Sequence, residues 1–125
     1  HKMVNCIKNT LIIGASLNPQ RYSYKASIKL IEKKIKVFLL GKKRGKIKGF
    51  NVYDKFPKIK NIDTISIYIK PKNQSCYTDE IIDLSPRRII FNPGTENPAL
   101  FNKFTLNGIA CENSCTLVLL STNQY

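Results

Sequence analysis

The chain has 125 residues, a formal net charge of +13 and 42% apolar side chains. That length suits one domain with a single core and is short for two. The composition excludes a disordered chain, and no apolar run is long enough to cross a membrane.

His1 and Lys2 stand ahead of Met3 and read as an appended scar, so residues 4–125 are expected to form a single domain. His1 is the only histidine. No signal-peptide core follows it, and the expected location is cytoplasmic. The first apolar run, "TLIIG", reads as a strand ending at Gly14. Tyr24, Ile28, Ile31 and Ile35 then recur at helical spacing. "KVFLLG" is a second buried strand. Residues 42–61 are basic and punctuated by glycine, with a possible short strand over residues 50–53, and take the place of a second crossover helix. "TISIYI" alternates, with Ile65, Ile67 and Ile69 on one face and Ser66 and Tyr68 on the other, so an edge strand is expected.

Tyr77, Ile81 and Leu84 mark the next helix, and "RRIIFN" the next strand. Asn97–Pro98 reads as an N-cap followed by proline at the first helical position. Leu100, Phe101 and Phe104 face inward, and Asn107–Gly108 stops that helix. "GIACE" is a strand, and "NSCTLVLLST" holds a short last helix. Strand–helix alternation of this kind implies right-handed crossovers. The expected fold is α/β, a three-layer, doubly wound (Rossmann-type) parallel sheet of about five strands.

Cys6, Cys76, Cys111 and Cys115 lack C-x-x-C spacing and have no native histidine as co-ligand. Reduced, buried thiols are expected rather than a metal site. Cys115 stands where the last helix would begin, a position that favours thiolate.

The charge is lopsided. Residues 1–60 hold sixteen Lys or Arg and two acids, Glu32 and Asp54; residues 61–125 hold five and six. A basic half suits nucleic acid, an acidic membrane or a phosphate-rich cofactor. Abundant Lys, Ile and Asn are equally what A/T-rich codons produce.

In a doubly wound sheet, ligands bind outside the carboxyl ends of the strands. The loops expected there share a character. In "GASLNPQRYS", Gly14 ends the strand, Ala15 and Ser16 are small, and the helix opens between Pro19 and Ser23. Free backbone N–H groups there, with Arg21 beside them, favour an anion. A dinucleotide fingerprint would carry three glycines, and only Gly14 is present. "GKKRGK" places Lys42, Lys43 and Arg44 where an NAD site has an acid. That argues for a ligand with a phosphate on its ribose, NADP or coenzyme A. "KPKNQ" brings Lys70 and Pro71. "NPGTENP" is stiff, with two prolines and a glycine.

Taken together, "GASLNPQRYSYKA", "NIDTISIYIKPKNQ", "RRIIFNPGTENP" and "CTLVLLSTNQY" resemble the small stand-alone CoA-binding proteins. These are similar to the N-terminal domain of the succinyl-CoA synthetase α subunit. The resemblance runs from about Thr10 to Tyr125. It implies a turn at Gly14, Ala15, Ser16 and Leu17 around the CoA phosphates, with Asn18, Pro19, Arg21, Tyr22 and Ser23 adjoining. It implies Lys42 or Lys43 beside the adenosine end, and Lys70 and Pro71 next to the cofactor. Asn92, Pro93, Gly94, Thr95 and Glu96 would form a CoA-contacting loop. The synthetase turn has more glycines, and its phosphorylated histidine has no counterpart here.

The reading that follows is a protein holding coenzyme A, or a short acyl-CoA, without transforming it. No Ser/His/Asp set can be built, and Glu96 and Cys115 are the only reactive candidates. A module binding NADP or another nucleotide is the alternative. A nucleic-acid binder ranks lower, because the cations lack interleaved aromatics and no helix-turn-helix pattern appears.

Overall fold

A computed structural model describes residues 8–125. The expected scar at His1 and Lys2, the expected start at Met3, and Cys6 lie outside the described residues. The elements are β1 (Thr10–Ala15), α1 (Tyr22–Glu32), β2 (Val37–Gly41), β3 (Gly45–Ile47), β4 (Phe50–Tyr53) and β5 (Thr64–Ile67). Two 3₁₀ turns follow, Pro71–Asn73 and Ser75–Tyr77. Then come α2 (Thr78–Leu84), β6 (Arg88–Phe91), α3 (Pro98–Leu106), β7 (Ala110–Asn113) and α4 (Thr116–Ser121).

The strands form one sheet in the order β3-β4-β2-β1-β5-β6-β7. Every pairing is parallel except β3 with β4. Without β3, the six parallel strands stand in the Rossmann order, three to one side of a reversal and three to the other. The core is split by the sheet as strand alternation requires. Leu11, Ile13, Ile65, Ile67, Ile89 and Phe91 face α2 and α3, where they meet Ile81, Leu100 and Phe104. Ile12, Leu39, Val52 and Ile90 face α1 and α4, where they meet Ala26, Leu30 and Leu120.

The sheet has seven strands, not about five. The basic middle segment folds as the β3–β4 hairpin instead of a crossover helix. Lys48 (φ 48°) and Gly49 (φ 86°) form its tip, both left-handed, the geometry that matches the twist of paired strands.

"TISIYI" is also corrected: β5 is not an edge strand but lies between β1 and β6, with all four residues buried. Ser66 breaks the apolar run because it is hydrogen-bonded inside. Its Oγ meets Thr116 Oγ1 at 2.8 Å and accepts from Asn92 Nδ2 at 2.9 Å. A satisfied hydroxyl costs little to bury.

The predicted stripe on α1 is shifted. Ser23, Ala26, Ser27 and Leu30 are buried, while Tyr24, Ile28 and Ile31 flank the core. Small side chains let the helix approach the sheet, and the Ser27 hydroxyl donates to the Ser23 carbonyl at 2.8 Å. The ends of α3 match expectation. Asn97 Oδ1 accepts from Leu100 N at 3.2 Å, and Gly108 follows the last turn at φ 82°. Buried thiols were expected, but Cys76 is exposed and Cys111 and Cys115 are half-buried; all three are free. Cys76 sits in the second 3₁₀ turn, a loop and not a core position.

At the opposite edge, the C-terminal Tyr125 folds back onto the sheet. Its hydroxyl meets Thr10 Oγ1 at 2.5 Å, and the Arg88 guanidinium lies 4.6 Å over its ring.

Candidate functional site

Strand order reverses between β1 and β5, so the ligand crevice of this fold opens at their carboxyl ends. The first and third loops flank that point, and the second and fourth lie just outside them.

Gly14 holds φ +100°, and the β1–β2 register slips by one residue between Ile13 and Ala15. A Cβ on Gly14 would stand 2.9 Å from Ile69 Cγ2 and 3.0 Å from the Tyr68 carbonyl carbon. The missing side chain therefore lets the chain leaving β5 press against the first turn. Ala15 is buried, and its carbonyl oxygen occupies the space a Gly41 side chain would need. Beyond it the turn locks itself. Ser16 Oγ accepts from Asn18 N at 3.1 Å, Asn18 Oδ1 from Gln20 N at 2.9 Å, and Asn18 O from Arg21 N at 3.0 Å. Such side-chain turns replace the missing glycines with a rigid bend.

Helix α1 then begins with no side-chain cap and no acid in its first turn. Its leading N–H groups are thus left for an anion. Pro19, Arg21 and Tyr22 are exposed around them, and Ser23 is buried beneath.

Leu17 joins the first loop to the second. A Cβ on Gly45 would stand 2.8 Å from Leu17 Cδ1, so Leu17 rests on bare backbone at the start of β3. Lys42, Lys43 and Arg44 are exposed between β2 and β3 and form no ion pair among the described residues.

Gln74 joins the third loop to the fourth, and sequence reasoning did not single it out. It is 2% exposed. Its Nε2 donates to Ile69 O at 3.0 Å and to Thr95 O at 2.7 Å, while Oε1 accepts from Asn97 Nδ2 at 3.2 Å. No local signal separates this glutamine from a solvent-facing one, since two of its three partners lie in the fourth loop, more than twenty residues on. Lys70 and Pro71 are exposed on the same loop.

In the fourth loop the predicted residues divide. Asn92 is buried, with its side-chain amide engaged inside. It donates to Ser66 Oγ at 2.9 Å and Ile67 O at 2.8 Å, and accepts from Thr116 N at 2.8 Å. Thr95 is buried and donates to Asn92 O at 2.7 Å. Pro93, Gly94 and Glu96 are exposed, with Gly94 N donating to Glu96 Oε1 at 2.9 Å. Asn92 and Thr95 set the loop; Pro93, Gly94 and Glu96 present it.

Tyr68 lies just past β5. Burial, foremost, pushes its hydroxyl up to about 12. Thr116 and Ser66 stand beside that oxygen and offset part of the rise, but none of the described residues meets it in regular hydrogen-bond geometry.

Beside the fourth loop, a hollow of about 190 Å³ is lined by Glu96, Asn97, Pro98, Phe101, Asn102 and Asn113. A wider depression at the amino edge holds the Asp63–Arg87 ion pair, 2.7 Å long. Burial raises the Asp63 carboxyl, but bonds from Arg87 and Thr64 and the charges of Arg87 and Arg88 outweigh it and hold the group below its usual range. No cluster of metal-ligating side chains occurs among the described residues.

A Rossmann-ordered sheet, an uncapped helix at the reversal point and cations after β2 define a domain of the nucleotide-cofactor-binding class. Comparison with known proteins narrows this. The sequence matches the CoA binding domain family over residues 8–121, and the chain belongs to that family. It is similar to a crystal structure described only as an uncharacterized protein, with 39% identity, 97% of this chain and 100% of that one covered, and a TM-score of 0.92. A Thermus thermophilus protein shares the fold at 16% identity, with 95% and 91% covered and a TM-score of 0.84. A hypothetical protein from Pyrococcus horikoshii does so at 23% identity, with 93% and 82% covered and a TM-score of 0.82. No curated protein gives a significant match. Among the described residues, no helix is long and apolar enough to cross a membrane.

Proposed function

We propose that this chain is a cytoplasmic protein that holds coenzyme A, or a short acyl-CoA, at the carboxyl edge between β1 and β5 and does not itself transform it. The observation that carries the reading is the uncapped start of α1 at the strand-order reversal, in a chain of the CoA-binding family. The pyrophosphate would sit on the leading N–H groups of α1 and on the Ser16–Asn18 turn. Arg21 would add charge, and Lys70 and Pro71 would close the far side. Lys42, Lys43 and Arg44 would meet the ribose phosphate, which Lys and Arg bind as point charge and fork respectively. Pro93, Gly94 and Glu96 would present the CoA-contacting loop that the likeness to the succinyl-CoA synthetase domain implies.

The exposed Lys42–Arg44 run equally suits the ribose phosphate of NADP, which makes an NADP-binding module the second reading. Titration calorimetry with coenzyme A, NADPH and NADH separates the two. Coenzyme A is expected to bind and NADH not to. Tight NADPH binding without coenzyme A binding would overturn the first reading. Incubating the protein with acetyl-CoA and assaying free thiol tests the absence of chemistry, since steady thiol release would make it an enzyme.

A further inference from the structure

We propose that the hollow beside α3 receives the acyl group of a bound thioester and favours short, uncharged acyl groups over carboxylated ones. The inference rests on the coenzyme A reading above.

Ligand direction follows from charge. The cations after β2 draw the phosphorylated ribose to one side of the reversal, so the pantetheine arm leaves toward β6 and β7. Neighbouring strands lie about 4.8 Å apart, which puts β7 about 12 Å from the midpoint of β1 and β5. The arm is a chain with two amides, about four residue-lengths of extended backbone, or roughly 13 Å. Its sulfur therefore arrives at the end of β7, where Asn113 stands and the hollow opens.

The lining decides what fits. A volume of about 190 Å³ holds about six water-sized groups, enough for a short acyl chain. Phe101 packs against Phe91, with ring centres 5.9 Å apart, and offers an apolar wall. Asn97 is committed to Gln74 and to the α3 N-terminus. The side-chain amides of Asn102 and Asn113 bond to no other described residue, which leaves them for a carbonyl or hydroxyl. The single charge on the lining is the Glu96 carboxylate. A terminal carboxylate would meet that like charge with no lining cation to offset it.

Calorimetry with coenzyme A, acetyl-CoA, 3-hydroxybutyryl-CoA and succinyl-CoA tests this on the wild type and on Asn113→Arg and Asn102→Arg. Both substitutions are at exposed positions on different elements, so one reports if the other disturbs folding. Succinyl-CoA is expected to bind the wild type at least about threefold more weakly than acetyl-CoA, the effect of one like-charge contact in a wet site. Either arginine should shift the succinyl-to-acetyl affinity ratio upward by a similar factor. If coenzyme A binds but that ratio is near one in the wild type and unmoved in both variants, the hollow does not receive the acyl group and the coenzyme A reading stands. Failure of coenzyme A itself to bind would overturn both.

Discussion

Replacing Gly14 with alanine probes the contact on which the reversal point is built. Two costs add. The first is backbone strain, because φ +100° is a conformation that side chains resist, by about 1–2 kcal/mol. Reduced freedom of the unfolded chain returns ~0.4–1 kcal/mol of this. The second is steric. The new Cβ would stand 3.0 Å from the Tyr68 carbonyl carbon and 3.1 Å from Tyr68 Cβ. Ile69 can rotate away, but the backbone after a central strand cannot, and overpacking of this kind costs about 1–3 kcal/mol. The sum is about 1–4.5 kcal/mol. Gly94→Ala is the control: it has nearly the same φ, +92°, with nothing within 4 Å of the new atom. It should show the strain alone, about 1 kcal/mol. Urea unfolding followed by circular dichroism measures both, and thermal melts should fall by about 4 °C per kcal/mol at this chain length. If the two variants lie within about 0.5 kcal/mol of each other, the crowding at Gly14 is refuted.

Asn92→Ala removes three hydrogen bonds and strands the buried Thr116 N–H; a loss of about 2–4 kcal/mol in urea unfolding is expected, with an intact far-ultraviolet spectrum. Replacing Lys42, Lys43 and Arg44 together by serine should weaken coenzyme A more than dephospho-CoA in calorimetry, and equal losses would mean the loop does not meet the ribose phosphate. Tyr68→Phe should leave neutral-pH stability unchanged or raise it by up to ~1 kcal/mol, because the lost hydroxyl is buried with no regular hydrogen bond among the described residues. The folded pKa of about 12 lies above the ordinary 10, so ionisation leaves stability untouched below pH 10 and lowers it as pH rises from 10 toward 12. A urea-midpoint series over that window should fall less steeply for the phenylalanine variant than for the wild type.

Features written in neighbouring residues were legible from the sequence. Asn97–Pro98 and Asn107–Gly108 bound α3 because caps act within one turn. The first loop was legible as a strand end, a bend and a helix start, because all three fall within ten residues. Features written across the chain were not. Ser66 looked like the outer face of an edge strand, since its partners, Asn92 and Thr116, lie 26 and 50 residues away. Gln74 was hidden for the same reason. The β3 strand escaped notice because three residues bearing a lysine carry no usable period, and its place comes from pairing with β4. Asn92 was read as a ligand contact, and its side-chain amide is engaged inside with Ser66, Ile67 and Thr116, partners that residue type alone does not disclose.

The β3–β4 hairpin turns at the amino end of β4, across the sheet from every loop of the crevice. Its tip, Lys48–Gly49, is solvent-exposed and spans two residues of a tight reversal. That makes it a natural handle. A cysteine for a dye, a surface tether or an inserted peptide at the tip should leave the opposite rim free, since exposed tips accept such additions best. Immobilised by this point, the protein would present the carboxyl edge of its sheet outward in uniform orientation.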